Sequence, residues 1–278
     1  RAPGLGPTHM GGSPYRLDTS PGGVRGPAPT VGQHTDAVRA EAARLREKPV
    51  DATDTGEVLG APLEGVTVLD LGLAIAGPFG TQLLADLGAT VIKVNALHDT
   101  YWHSNHIAYT ANRGKKSIAL NLKDARAMKV LLELVERADV VQHNMRYDAA
   151  ERLGIDWESL RKINPRLVYC HTRGFENGPR ALLPGNDQTG ACLAGVQYED
   201  GGMARGGKPL WSFTSLGDTG NGFLSAIAIL QALAHRDRTG EGQFCTTSIV
   251  NAQMLAASTA IARPDGSGFE RPHTDGMQ

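Results

Sequence analysis

From Leu63 onward the chain alternates between two hydrophobic periods. "VTVLDL" and "TVIKV" read as strands, and "PFGTQLLADLG" between them reads as a helix closed by Gly88, which makes one βαβ unit. "KSIALNL", "DARAMKVLLELVERAD", "VVQHN", "DAAERLG", "WESLRKIN" and "RLVYCHT" continue the alternation to about residue 173. This pattern predicts a Rossmann-like α/β domain, a mostly parallel sheet flanked by helices. Beyond it come a Gly-rich stretch and a long helix with Phe223, Ile227, Leu230 and Ala234 at helical spacing. A strand-like "QFCTTSI" and a helix through "NAQMLAASTAIA" follow. Residues 1–33 are crowded with Gly and Pro and predict an irregular, extended segment. "HTDAVRAEAARLREK" predicts a short helix opening on a Thr/Asp cap, and "PVDATDTGEVLGAP" a polar linker. The chain divides into residues 1–50, a linker at 51–62, and a compact domain over 63–278.

The 278 residues include 28 basic and 29 acidic side chains, a formal charge of −1, so no overall field gathers nucleic acid or an anionic membrane surface. An anionic ligand must be held by a local site. Cys170, Cys192 and Cys245 form no C-x-x-C pair, which predicts buried thiols in a reducing cytoplasm. Gly, Asp or Lys breaks every apolar run before it reaches membrane-spanning length, and the N-terminus has no apolar signal core.

A βαβ unit invites a dinucleotide, but Gly72, Gly77 and Gly80 miss the G-x-G-x-x-G spacing, and Asn95 stands where an acid would grip a ribose. Gly77-Pro78 at a helix start still leaves N–H groups facing whatever binds there. His103 and His106 have i, i+3 spacing, and His98 and His143 are unplaced. No Cys or acid cluster completes a metal site, so they read as surface or cleft histidines. In "NRGKKS", Arg113, Lys115 and Lys116 form either a solvated loop or a grip on phosphate. Asp218, between Gly217 and Thr219 just before an apolar run, is by local pattern either a helix cap or a nucleophile.

Taken together, "PLEGVTVLDLGLAIAGPFGTQLLADLGATVIKV", "NRGKKSIALNLK", "ADVVQHNMRYDAAERLGIDWESLRKINPRLVYC" and "LGDTGNGFLSAIAILQALAHRDRTGEGQ" resemble the class III CoA-transferase family over roughly residues 62–252. That family includes formyl-CoA transferase, carnitine CoA-transferase and the α-methylacyl-CoA racemases. The resemblance implies the family's fold, here without most of its second, small domain, and an acyl-CoA:carboxylate CoA-transferase. Its nucleophile would be Asp218, working through a mixed anhydride and an aspartyl-CoA thioester. Gly217 and Gly220 would leave room for a bulky acyl group, and the helix start would stabilise developing oxyanions. CoA contacts are implied at Asn144, Arg152, Lys115, Lys116, Leu120 and Lys123. CoA enters as substrate, with no permanent cofactor and no metal.

Asn95-Ala96 replaces an acid-Arg pair found in many members, and Ile75 stands where formyl-CoA transferase has Gln. Both departures speak against one phosphate contact and against formyl-CoA or oxalate specificity. In "PGNDQTGACLAG", Asn186 takes the place of the racemases' His, and a neutral Asn shuttles no proton. Asp187 beside it is a turn residue bonding local backbone or a group near the thioester. Racemase or isomerase chemistry, and a non-catalytic CoA-binding half of a fused protein, are the alternatives. "GPAPTVGQHTDAVRAEA" resembles the segment that ends family members, so residues 1–50 are expected to be the tail of a preceding copy. The chain would be a piece of a fused tandem equivalent to the family's interlocked dimer. Val38, Ala42 and Leu45 would then be buried against an α/β domain.

Overall fold

The computed structural model describes residues 6–9, 11–23, 26, 28–46, 59–99, 106–212, 214–256 and 262–267. The chain forms two compact units, one of residues 1–12, 23–59 and 258–278, the other of residues 13–22 and 60–257. In the first, helix α1 spans Thr35–Arg46, and His9 and Ala262 form an isolated antiparallel bridge. Within this unit Val38 and Ala42 are exposed, and the Leu45 side chain lies outside the described residues.

The larger unit is built on a sheet in the order β1-β7-β6-β5-β2-β3-β4. Its strands are β1 (Tyr15–Leu17), β2 (Thr67–Asp70), β3 (Thr90–Asn95), β4 (Lys116–Ala119), β5 (Val140–His143), β6 (Val168–Arg173) and β7 (Phe244–Ser248). All pairings are parallel except β1 with β7, where Tyr15 faces Thr247 and Leu17 faces Cys245. The segment expected to be irregular thus supplies an edge strand. Ser20 reinforces it through Gln243, as does Asn251, which donates to the Pro14 carbonyl at 2.9 Å.

Alternation along the strands feeds two cores. Val68, Val91, Val140 and Val168 face helices α2 (Ala76–Asp86) and α9 (Leu216–Thr239) with Leu84, Ile229 and Leu233. Leu69, Val94, Val141 and Tyr169 pack on the other face with Leu131 of α4 (Ala125–Val135) and Leu160 of α6 (Trp157–Ile163). Helix α3 (His106–Thr110) precedes β4, and α5 (Tyr147–Leu153) follows β5. Helices α7 (Asp187–Leu193) and α8 (Val196–Asp200) precede α9, and α10 (Ile249–Ala256) follows β7. Aspartates cap α4 and α6 from outside the first turn: Asp124 accepts from Arg126 N at 2.9 Å and Asp156 from Ser159 N at 3.1 Å. No helix among the described residues is long and apolar enough to cross a membrane.

The apolar stripe read on α9 is its outer one. Phe223 is 52% and Ile227 42% exposed, while Leu224, Ala228, Ile229, Ala232 and Leu233 are buried. A helix apolar on nearly every side gives no unique stripe to choose. At the crossing of α2 and α9, Gly80 faces Gly222: a Cβ on Gly222 would lie 2.6 Å from Phe79 Cδ1 and 3.1 Å from Gly80 N. Gly222→Ala is therefore expected to destabilise the unit by about 2 kcal/mol through forced separation of the two helices, read as a lower midpoint in urea unfolding.

Candidate functional site

The chain leaves β2 for α2 and β3 on one side, and β5 lies on the other side, so the strand order reverses between β2 and β5. In open α/β sheets, ligands bind beyond the carboxyl ends of the strands at such a reversal. Asn144, just past β5, ties the two sides together there: Nδ2 donates to the Leu73 carbonyl at 2.8 Å and Oδ1 accepts from Leu73 N at 2.7 Å. Its amide is thus spent on the loop leaving β2. Gly77, in the first turn of α2, lies against it; an added Cβ would be 3.1 Å from Asn144 Cγ, so this glycine serves a close approach. No side chain caps the start of α2, and Ala74 just before it holds φ at 56°.

Beneath the loop, Asp70 is fully buried between two ammonium groups. The three N–H groups of Lys115 are shared among four acceptors: Asp70 Oδ2 at 2.8 Å, Pro78 O at 2.7 Å, Thr81 Oγ1 at 2.9 Å and Asn112 Oδ1 at 3.1 Å. Lys93 Nζ lies 3.8 Å from Asp70 Oδ1 and donates to the Gly72 carbonyl. Burial alone would raise the Asp70 carboxyl, but the two lysine charges and the Gly72 N–H outweigh it and hold it low. Lys115, expected to meet a phosphate, is turned inward with no N–H to spare. Lys116 is exposed on edge strand β4, where a lysine discourages further strand pairing. The local signal for Asp70 was one acid inside an otherwise apolar strand; its two lysine partners come from 23 and 45 positions away and left none.

A cavity of about 470 Å³ opens at the ends of β2, β3 and β4, lined mainly by apolar groups such as Leu71, Leu73 and Leu153. Leu120 and Lys123 line it, while Arg152 is exposed in the last turn of α5 and paired with Asp148 at 2.7 Å. His98 lines this cavity, His106 is exposed and His103 lies outside the described residues. His143 is fully buried, contrary to expectation, and stacks on His171 with ring centroids 4.6 Å apart. Among the described residues no group of His, Cys, Asp and Glu could hold a metal. Cys170 and Cys245 are buried thiols; Cys192 is exposed on α7, against expectation.

Asp218 sits in the first turn of α9 but does not cap it. The cap position is Ser215, with φ at 47° and no side-chain hydrogen bond to the helix. The acceptor comes instead from α7: Asp187 Oδ1 accepts from Asp218 N at 3.0 Å and from Gln253 Nε2 at 3.3 Å, and its Oδ2 accepts from the Trp211 indole N–H at 2.6 Å. Asp187, 3% exposed, is therefore not bonded to local backbone, as a turn residue would be. Asn186 is the N-cap of α7, its Oδ1 accepting from Thr189 N at 2.9 Å in a capping box. Gly217 is packed shut: a Cβ there would lie 2.6 Å from Ile249 and 2.7 Å from Asp187 Oδ1. It leaves no room for an acyl group, and a Cβ on Gly220 would lie 3.1 Å from Ala252 Cβ. Burial, with the Asp187 charge close by, pushes the Asp218 carboxyl up to about 7. Such a group exchanges between acid and carboxylate near neutral pH at the positive end of a 24-residue helix.

A family model described as CoA-transferase family III matches residues 63–278. The chain is 37% identical to the acetyl-CoA:oxalate CoA-transferase of Acetobacter aceti over 72% of its own length and 54% of that protein. It is 34% identical to the succinate–glutarate CoA-transferase of Agrobacterium fabrum, over 69% and 52%. Among solved structures, Rv3272 of Mycobacterium tuberculosis superposes with a TM-score of 0.66 at 35% identity, over 72% of this chain and 56% of that one. A CAIB/BAIF family protein of Brucella suis gives the same TM-score and coverage at 31% identity. The chain spans about half the length of the curated relatives it matches.

Proposed function

Because the chain belongs to CoA-transferase family III, we propose that the protein containing it moves CoA from an acyl-CoA to a carboxylic acid, with Asp218 as nucleophile. The observation that carries this reading is the Asp218 carboxyl, raised to about 7 beside the buried, thrice-bonded Asp187 at the start of α9. In the proposed cycle an Asp218 oxygen attacks the thioester carbonyl, the C–S bond breaks, and CoA leaves as thiolate. The thiolate attacks the Asp218 carbonyl of the resulting anhydride, which releases the first acid and leaves an aspartyl-CoA thioester. An incoming carboxylate runs the same two steps in reverse and departs as the new acyl-CoA. The α9 dipole favours the oxyanions formed on the way, and a site closed to water protects the anhydride.

For CoA, the 470 Å³ cavity with Leu120 and Lys123 suits the nucleotide end, and Arg152 is next in sequence to its lining residue Leu153. Asn144 acts in this reading by holding the loop that leaves β2. The exposed apolar residues Phe223, Ile227, Leu182 and Leu193 support a covering partner, either a second subunit interlocked with this one or a tandem copy. Asn186, neutral and acting as the α7 N-cap, counts against racemase chemistry. The test is trapping: the full-length protein is incubated with acetyl-CoA or succinyl-CoA, quenched with hydroxylamine, and digested for mass spectrometry. A hydroxamate on Asp218 is expected; a trapped adduct elsewhere, or none during active turnover, overturns the assignment.

A further inference from the structure

A second cavity, of about 140 Å³, lies at the carboxyl ends of β5 and β6 and is lined by Asn144, Arg146, Tyr147, His171, Arg173 and the 181–185 loop. That is the room of about four or five water molecules, enough for a short organic acid and too little for a long acyl chain. Its two cations differ in state. Arg146 is paired with Asp148 at 3.3 Å. Arg173 has no ion pair among the described residues: Nη1 donates to the neutral Asn177 amide at 2.8 Å, and Nε is buried with no acceptor. Asp18, whose charge reaches it, is already paired with Arg16 at 2.9 Å. Arg173 is half-buried, and a guanidinium partly drawn out of water with only a neutral partner gains from an arriving carboxylate.

The same wall holds a second unmet group. His171, 3% exposed, donates Nε2–H to the Met145 carbonyl at 2.9 Å, which leaves Nδ1 as an acceptor with no partner among the described residues. The backbone of this wall also touches α9: the Arg173 carbonyl accepts from Asn221 Nδ2 at 3.2 Å, and Asn221 is one helical turn beyond Asp218.

We propose that Arg173 binds the far carboxylate of a dicarboxylic acid whose near carboxylate exchanges CoA at Asp218, which makes Arg173 a determinant of substrate class. This inference rests on the transferase reading above. The planar fork can offer Nε and a terminal nitrogen to both oxygens of one carboxylate. A monocarboxylate of equal length leaves the fork bare.

In the full-length protein, with one acyl-CoA donor, Arg173→Gln is expected to lower the ratio of kcat/KM for glutarate to that for pentanoate by about 30-fold, mainly through KM. Arg173→Lys, which keeps the charge and loses the fork, is expected to fall between. Calorimetric titration with glutarate alone, without CoA, should show binding to the unaltered protein and none to Arg173→Gln, with circular dichroism confirming an intact fold. An unchanged ratio overturns the proposal, as does an equal rise in KM for the acyl-CoA with both acids, which would make Arg173 a CoA contact. If no acid accepts CoA, the transferase reading fails, and the glutarate titration still decides the role of Arg173.

Discussion

Asp218→Asn is expected to abolish CoA transfer by the full-length protein while making the folded protein more stable at pH 8. The carboxyl ionises at about 7 in the folded chain and at its ordinary value near 3.8 in the unfolded one. Its contribution favours folding below the unfolded value and is lost as pH rises through the folded one, because the unfolded state releases the proton first. At pH 8 the wild type therefore carries a penalty that Asn, always neutral, does not. Allowing for the partial exposure of the group, the gain is about 1–3 kcal/mol, and it should vanish at pH 3. Loss of a helix cap would give the opposite sign, a destabilisation of about 1 kcal/mol at every pH. Urea unfolding of both proteins at pH 3 and pH 8, beside a CoA-transfer assay, separates the cases. Wild-type transfer by the variant would end the nucleophile assignment.

Asp187→Ala should act in two directions at once. It strips the acceptor from Asp218 N–H, Trp211 Nε1 and Gln253 Nε2, which is expected to cost about 3 kcal/mol of stability. It also removes the negative charge that helps hold the Asp218 carboxyl at about 7, so the acidic limb of kcat/KM against pH should move to lower pH. Asp187→Asn keeps one acceptor oxygen and should lose less stability while moving the limb the same way. A limb that stays in place in both variants would mean that burial alone sets the Asp218 carboxyl.

The legibility of this chain follows the range of the interactions involved. Strands β2, β5 and β6 show themselves by the adjacent apolar residues Val68-Leu69, Val140-Val141 and Val168-Tyr169-Cys170, which feed the cores on both faces, and α4 announces itself by Asp124 and a regular stripe. Asp218 could be singled out by its place before an apolar run, yet its state depends on Asp187, 31 positions earlier. The inward turn of Lys115 was hidden for the same reason, since the acid that holds it is 45 positions away. Lys116 beside it faces out, and nothing in "NRGKKS" separates the two. Gly217 looked like space for a substrate because a glycine reads as absence; in the fold that space is filled by Ile249 and Asp187. Strand β1 was masked by the glycines and prolines on both sides of three pairing residues, Tyr15, Arg16 and Leu17.

That short strand separates the limits of the family match from the limits of the folding unit. The match begins at residue 63, but the sheet on the β7 side is finished by residues 15–17. A polypeptide started at the family boundary would carry β7 with its outer N–H and C=O groups bare from Cys245 to Thr247. It would also leave Gln231 without the Tyr15 hydroxyl at 2.8 Å. An uncovered edge of that kind templates strand addition between molecules, so the excised unit would be prone to self-association through a surface that the longer chain keeps closed.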